Sequence, residues 1–401
     1  MPKSIKPKLI ILYVGIINIV LLGIFFLLRS SIVYEINSPI GATVQVLSSL
    51  FHDKPTKTVY GYLPYWMLEN AKYLQYDKLT DIAYFGLKLD QYGEFDASDP
   101  GYQAWLTDKR VEDVIKKANI WGVRFAITIV NQEDDSIDYF LNCTTCWETA
   151  YTNIAKELTK RRLKDVNVDF EHTTETTADI PQKYTAFIQF LNTRLDAEFG
   201  DSKVIVATFA DSFVRQRVSN PVALAQAADG LFIMAYDYHQ PTSEYAGPVA
   251  PLYANQPDSE YDVSKTLDKY LSEIAPQKLI LGVPYYGYNF LTENSEARSA
   301  RVPGTDYAGF TVSQYYAMIR DSDKIPFGSQ EFDENSNTPY IIYRNSENQT
   351  TRVLHFENEK SLEKKYDFAL IKNLQGIGIW ALGYDGDYPE LWNLISRKFK
   401  D

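Results

Sequence analysis

A closed parallel (β/α)8 barrel, the TIM-barrel class of α/β folds, is what this sequence predicts, and three observations carry the prediction. Eight short β-rich runs recur along the chain, most of them near-continuously apolar and β-branched, as strands covered on both faces must be. Amphipathic stretches of helical period stand between them. The length also fits: Val59 to Ile395 spans 337 residues, and setting aside the 68 residues from 290 to 357 leaves 269, close to the roughly 250 of a plain barrel. An open doubly wound sheet is the alternative for the same alternation.

In order, the runs are TVYGYLP (58–64), DIAYFGLKL (81–89), VRFAITIV (123–130), DVNVDF (165–170), KVIVATFA (203–210), GLFIMAY (230–236), KLILGVPYY (278–286) and GIGIWALG (376–383). The helical patterns between them include VEDVIKKANIWG, TAYTNIAKELTKRR, PQKYTAFIQFLNTRLDAEF, SKTLDKYLSEIAP and SLEKKYDFALIKNL. Asn220-Pro221 supplies a helix start, a capping side chain followed by a first-turn proline. Residues 290–357 hold GFTVSQYYAMIRDS and the strand-like pair PYIIYR and TRVLHF around the turn NSENQT. Two short strands and a helix there predict a small α+β insertion between strands seven and eight, beside the barrel mouth.

The first thirty residues are of another kind. Leu9 to Leu28 runs twenty residues without a charge, about the length that spans a bilayer core as a helix. Lys3, Lys6 and Lys8 precede it and Arg29 follows, a bias that keeps the N-terminus in the cytoplasm and exports the rest. A cleaved signal peptide would have a shorter apolar stretch and a small-residue cleavage site, which Leu28-Arg29-Ser30 does not resemble. The expected organisation is therefore a cytoplasmic stub and transmembrane anchor over 1–29, a linker over 30–57, and a barrel over 58–398 carrying the 290–357 insertion. The expected location is the cell membrane, single-pass, with the barrel outside.

Composition narrows the function. With 40 basic against 52 acidic side chains and a formal net charge of -12, the chain lacks the basic character of a nucleic-acid partner. The 14% aromatic content excludes disorder as the main state. Two cysteines cannot build a disulfide framework or a structural zinc site; Cys143 and Cys146, in an exported domain, either close a small disulfide loop or stand as free thiols. No metal-ligand cluster, P-loop or nucleophile elbow appears, and no cofactor is implied.

Chemistry in such barrels sits at the C-terminal strand ends. The fourth run closes with Asn167-Val168-Asp169-Phe170-Glu171. Side chains alternate across a strand, so Asn167, Asp169 and Glu171 share the interior face while Val168 and Phe170 pack outward. Three polar groups pointing inward are costly unless they pair with one another or with substrate.

These residues resemble glycoside hydrolase family 18, the chitinase-like family, whose fourth strand carries D-x-x-D-x-D-x-E against Lys164-Asp165-Val166-Asn167-Val168-Asp169-Phe170-Glu171 here. The resemblance extends to Val59-Tyr60-Gly61-Tyr62, Met234-Ala235-Tyr236-Asp237, Gly282-Val283-Pro284-Tyr285-Tyr286-Gly287 and Gly378-Ile379-Trp380-Ala381-Leu382-Gly383. It covers about residues 58–396, and N-V-D-F-E is most similar to the branch of bacterial cell-wall and spore-cortex hydrolases. Two positions depart from the motif, Lys164 and Asn167; the first bears on local packing, and the second excludes any cycling of charge between residues 167 and 169.

The resemblance implies a retaining, substrate-assisted glycosidase acting on β-1,4-linked N-acetylglucosamine in chitin or peptidoglycan, with a polysaccharide or oligosaccharide as partner and the membrane contacted only through the N-terminal helix. It implies Glu171 as general acid, Asp169 as the group that holds the sugar's acetamide N–H, and Tyr236 as support for the attacking carbonyl, with Asn167 beside them. An ionised Asp169 is expected to keep Glu171 protonated. Trp380 is expected to floor the sugar subsite next to the cut, with Asp237 and Met234 as further substrate contacts. Tyr62, Tyr65 and Trp66 at the first strand end, and Tyr286 from the seventh, are expected to line outer subsites. His239 reads as a structural hydrogen-bonder, because the mechanism leaves it no proton to move. A carbohydrate-binding protein on the same barrel, with catalysis weakened or lost, is the other reading; position 171 discriminates, since lectin-like relatives commonly lose that acid.

Overall fold

The computed structural model describes residues 53–215, 217–254, 261–304 and 309–400. The apolar segment Leu9–Leu28, and the anchor and most of the linker read from it, lie outside the described residues. Among the described residues no helix is long and apolar enough to cross a membrane.

Eight parallel strands close the barrel: β1 (Thr58–Pro64), β2 (Asp81–Lys88), β3 (Arg124–Asn131), β4 (Asp165–Phe170), β5 (Val204–Phe209), β6 (Gly230–Met234), β7 (Leu279–Pro284) and, last in the chain, β13 (Gly376–Trp380). They stand in sequence order around the ring, with β13 between β7 and β1. The open doubly wound alternative is thereby excluded. Each of the eight apolar runs forms a barrel strand, because only a both-faces-covered position suits a run without polar alternation.

Helices follow the strands on the outside: α1 (Pro100–Thr107), α2 (Lys109–Trp121), α3 (Asp134–Leu141), α4 (Thr144–Arg161), α5 (Ile180–Phe199), α6 (Pro221–Ala227) and α7 (Val263–Glu273). Asn220 caps α6 as its sequence suggests, accepting from the Ala223 backbone N–H at 3.2 Å, with Pro221 in the first turn. Cys143 and Cys146 are disulfide-bonded across the start of α4.

Two apolar zones result from strand alternation. Outward-facing side chains such as Val166, Val168 and Phe170 pack under the helices, and Phe170 stacks on Tyr184 and Phe187 of α5 at 5.6 and 6.0 Å. Inside the barrel a smaller cluster forms from Tyr60, Tyr62, Ala83, Ala126, Ile205, Phe232 and Ile280. Phe232 fills the centre, a burial that contributes about 2–3 kcal/mol, and the neighbouring strands make room for it. A Cβ at Gly378 would stand 2.1 Å from its ring, and one at Gly282 2.7 Å.

The segment between strands seven and eight is larger than two strands and a helix. It is a five-stranded antiparallel sheet of β8 (Tyr286–Leu291), β9 (Val312–Tyr315), β10 (Glu331–Asp333), β11 (Thr338–Arg344) and β12 (Thr351–His355), in the order β10-β11-β12-β8-β9, with α8 (Tyr316–Asp321) beside it. The hairpin of β11 and β12 is the pair read from PYIIYR and TRVLHF. The sheet begins at Tyr286, because the chain turns directly from β7 into β8 and carries the polar-aromatic alternation YGYNFL across the mouth.

Two helices complete the ring, α9 (Glu359–Ile371) and α10 (Glu390–Phe399). A buried ion pair, Lys365 to Glu357 at 2.8 Å, ties α9 to the segment that follows β12. At the opposite end from the mouth, the chain approaches β1 along α10, with the Thr56 N–H donating to the Phe399 carbonyl at 2.7 Å.

Candidate active site

The end of β4 sets the chemistry. Its alternation is the one the sequence implies, with Val168 and Phe170 in the outer core and Asn167 and Asp169 inside the barrel. Asn167 is fully buried and its amide is spent on structure. Its Oδ1 accepts from the Tyr62 hydroxyl at 3.1 Å and its Nδ2 donates to the Ile205 carbonyl on β5, also at 3.1 Å. Such a group positions the strand and exchanges no proton.

Asp169 is 3% exposed, and its Oδ1 has no hydrogen-bond partner. Burial pushes its carboxyl well above the ordinary range, and the neighbouring Glu171 charge adds to the rise. Glu171 is half-buried at the cavity edge. Burial raises its carboxyl too, against a hydrogen bond from the Gln132 side chain that lowers it, while the Asp237 charge adds to the rise. Burial thus raises both carboxyls of the pair, Asp169 as well as the Glu171 that the sequence expects to stay protonated. The pair as a whole holds a proton to higher pH than two ordinary carboxyls.

Tyr236 and Asp237 close β6 toward the same space. Burial, then the charges of Asp169, Asp237 and Glu171, hold the Tyr236 hydroxyl far above its usual value, so it keeps its hydrogen as a donor. Asp237 sits in the left-handed region at φ 61°, a conformation Asp tolerates better than most residues. Its Oδ1 accepts from the hydroxyls of Tyr286 and Tyr288, the latter at 2.8 Å. Burial raises the Asp237 carboxyl, and these two donors oppose the rise.

Glu171, Met234, Tyr236 and Asp237 share one cavity of about 760 Å³, which is also lined by Phe209 at the end of β5 and by the loops after β5 and β6, including Asp211 and Tyr245. Across the mouth lies an aromatic nest. The Trp380 ring stands 4.8 Å from Phe85, 5.4 Å from Tyr62 and 6.4 Å from Trp66, all edge-on, leaving Trp380 half-buried with the barrel beneath it. Among the described residues no group of three His, Cys, Asp or Glu side chains is placed to hold a metal.

A family model matches residues 58–385 of this chain, that of "Glycosyl hydrolases family 18". The chain belongs to that family. The enzyme class read from the sequence, a glycoside hydrolase, is the class of family 18. Relatives include the protein named sporulation-specific glycosylase YdhD of Bacillus subtilis (strain 168), 26% identical over 292 residues, which cover 73% of this chain and 61% of YdhD. The di-N-acetylchitobiase of Homo sapiens is 25% identical, over 63% of this chain and 68% of its own length. Among solved structures, the spore cortex-lytic enzyme SleL of Bacillus megaterium QM B1551 superposes with a TM-score of 0.66 at 22% identity, covering 87% of this chain and 75% of SleL. The Group IV chitinase of Ostrinia furnacalis gives 0.73 at 18% identity, covering 85% and 98%. These two likenesses are of fold.

Against the family 18 motif, the aromatic residues divide. Trp66 is 46% exposed and Tyr65 half-buried against it, so both reach solvent at the strand end. Tyr62 is not an outer-subsite residue: it is 1% exposed, lying two residues below the strand end with its hydroxyl on Asn167. Tyr286 is likewise buried and serves Asp237 rather than an outer subsite. Lys164 stands on the surface, paired with Asp201 at 2.9 Å, so the motif's first position has no share in the site. His239 lines the cavity and its Nδ1 meets the Pro248 carbonyl at 2.9 Å, consistent with a structural role. Two residues of the site escape the motif altogether, Gln132 on Glu171 and Tyr288 on Asp237. Gln132 follows the last residue of β3, a strand-end position of the same kind that singled out Glu171.

Proposed function

We propose that this protein is a membrane-anchored, extracellular glycosidase that cleaves β-1,4-linked N-acetylglucosamine-containing glycan, chitin or peptidoglycan, by a retaining, substrate-assisted mechanism. The observation that carries the reading is a protonatable Glu171 at the edge of a cavity, beside a buried Asp169 and a Tyr236 whose hydroxyl keeps its hydrogen. The substrate class is supported by what the relatives are named for, a di-N-acetylchitobiase and cortical fragment-lytic enzymes, and by a family 18 chitinase of Cycas revoluta solved with (GlcNAc)3. The anchor rests on the uncharged run Leu9–Leu28.

In the first step Glu171 gives its proton to the glycosidic oxygen while the carbonyl oxygen of the sugar's own 2-acetamido group attacks the anomeric carbon, and the C–O bond to the leaving sugar breaks. Asp169 holds the acetamide N–H and balances the positive charge of the oxazolinium-like intermediate, and Tyr236 donates to the attacking oxygen. The ionised Glu171 then takes a proton from water, whose oxygen attacks the same carbon and reopens the ring. Two inversions leave the configuration retained. Trp380 floors the subsite next to the cut, offering an apolar ring face to a pyranose face.

Glu171→Gln tests the reading, because Gln is nearly isosteric and cannot donate that proton. Turnover on chitin oligomers or purified peptidoglycan, followed by mass spectrometry of products, falls by about a hundredfold or more with oligosaccharide binding kept. Activity above a tenth of wild type removes Glu171 from the role. Binding with no new reducing ends from the unaltered protein gives the fold over to the lectin reading. Fractionation of the full-length chain tests the anchor: a soluble mature form beginning near Ser30 overturns it.

A further inference from the structure

One residue beyond Glu171 the chain is gripped a second time. His172 is buried, 1% exposed. Its Nδ1 lies 2.9 Å from the Thr174 carbonyl oxygen and 3.6 Å from Asp134, and its Nε2 lies 3.3 Å from Oδ1 of Asp138. Asp134 and Asp138 stand one turn apart on α3. Asp134 also accepts from the backbone N–H groups of Thr173 and Thr174, at 2.8 and 3.1 Å, and from the Thr174 hydroxyl at 2.7 Å. Two carboxylates of one helix therefore hold the three residues that follow Glu171.

The same helix is fixed to the strand on the other side of Glu171. Ser136 of α3 accepts from the Asn131 side chain at 2.9 Å, the Asn131 carbonyl accepts the Glu171 N–H at 2.9 Å, and Gln132 next in the chain donates to the Glu171 carboxyl. Glu171 thus hangs between two anchored points. Neither His172 Nε2 nor Asp138 Oδ1 makes a hydrogen bond, so each meets the other only by this 3.3 Å approach. His172 does not line the cavity.

We propose that His172 is a positioning residue for Glu171: clasped by Asp138 and Asp134, it fixes the backbone at 171–172 so that the Glu171 carboxyl stays against Gln132 and faces the substrate cavity. The proposal rests on the reading of Glu171 as the general acid. Its physical content is that a catalytic group displaced by about 1 Å loses up to a hundredfold in rate while the rest of the subsite, on β6 and β13, is untouched.

Three variants of the full-length chain, His172→Ala, His172→Gln and Asp138→Asn, are compared with wild type on an N-acetylglucosamine oligomer. The alanine variant loses about tenfold or more in kcat with KM within about twofold of wild type. The glutamine variant, whose amide can reach toward Asp138 and fill the same space, recovers part of the loss, and Asp138→Asn adds little when combined with His172→Ala. Melting curves separate loss of fold from loss of rate, and if the alanine variant does not fold the other two decide. Crystal structures of wild type and His172→Gln give a readout free of activity: the Glu171 carboxyl shifts off Gln132 in the variant. Wild-type kcat in the folded variants, kcat and KM changing by the same factor, or an unmoved Glu171 overturns the proposal. An inactive wild-type protein would instead overturn the reading of Glu171, leaving the crystal comparison to decide the positioning.

Discussion

Asp169 is the group on which function and stability pull in opposite directions. Its carboxyl is buried, one oxygen lacks a hydrogen-bond partner, and burial followed by the Glu171 charge raises it. A carboxyl whose folded value lies above its unfolded value of about 3.9 costs the native state nothing below that pH. The cost grows as pH rises past it and is complete once pH exceeds the folded value. Asp169→Asn removes the ionisable group while keeping the shape. At neutral pH the relief is on the order of 1–3 kcal/mol, because each pH unit between the unfolded and folded values costs about 1.4 kcal/mol. With an unfolding entropy of roughly 2.1 cal/mol/K per residue over a barrel of this length, that raises Tm by about 1–4 °C. The same change lowers turnover by about a hundredfold or more, since an amide cannot balance the developing positive charge. Calorimetric scans of both proteins from about pH 3.5 to 8 check this: the gap should be absent at the acid end and widen as pH rises through the carboxyl range. A variant of equal or lower Tm at pH 7, or a gap independent of pH, would refute the reasoning.

Two further outcomes follow from neighbouring contacts. Asp237→Asn removes a charge that raises Glu171, so Glu171 gives up its proton at lower pH and the alkaline limb of the kcat/KM profile moves to the acid side; a limb that stays or moves upward contradicts the assignment. Asn167→Asp places a carboxylate oxygen against the Ile205 carbonyl where Nδ2 now donates at 3.1 Å, and at neutral pH it lowers unfolding stability by about 1–3 kcal/mol. Denaturant titration at two pH values tests this, because acidification restores a donor at residue 167 and returns part of the loss.

The barrel was legible because its strands are buried on both faces, and a run such as VIVATF or LILGVP has no other economical home. The alternation of Asn167, Asp169 and Glu171 was legible for the same reason: period two is a property of the strand itself. What the sequence did not disclose is which partner each polar group meets. Asn167 looks like a member of the catalytic set until Tyr62 and Ile205 are seen to use up its amide. Tyr62 looks like a subsite residue until its ring is found buried inside the barrel with its hydroxyl on Asn167. Gln132, Tyr288 and His172 act through contacts 39, 51 and 34 residues away in the chain, His172 through Asp138. No local pattern encodes such distances. The insertion was underread because β9 and β10 are only four and three residues long, too short to show a period.

The pairing of Thr56 with Phe399 gives the domain an orientation as well as a seam. Thr56 and Phe399 both stand at its closed end, on the far side from Glu171 and Trp380. A reporter protein, a purification handle or a solid support joined directly at Thr56 or Phe399 therefore stands behind the barrel, clear of the mouth. An insoluble polymer larger than the protein can approach the mouth unobstructed while the back is held fast. A particle coated with this barrel through Thr56 or Phe399 would present its clefts outward.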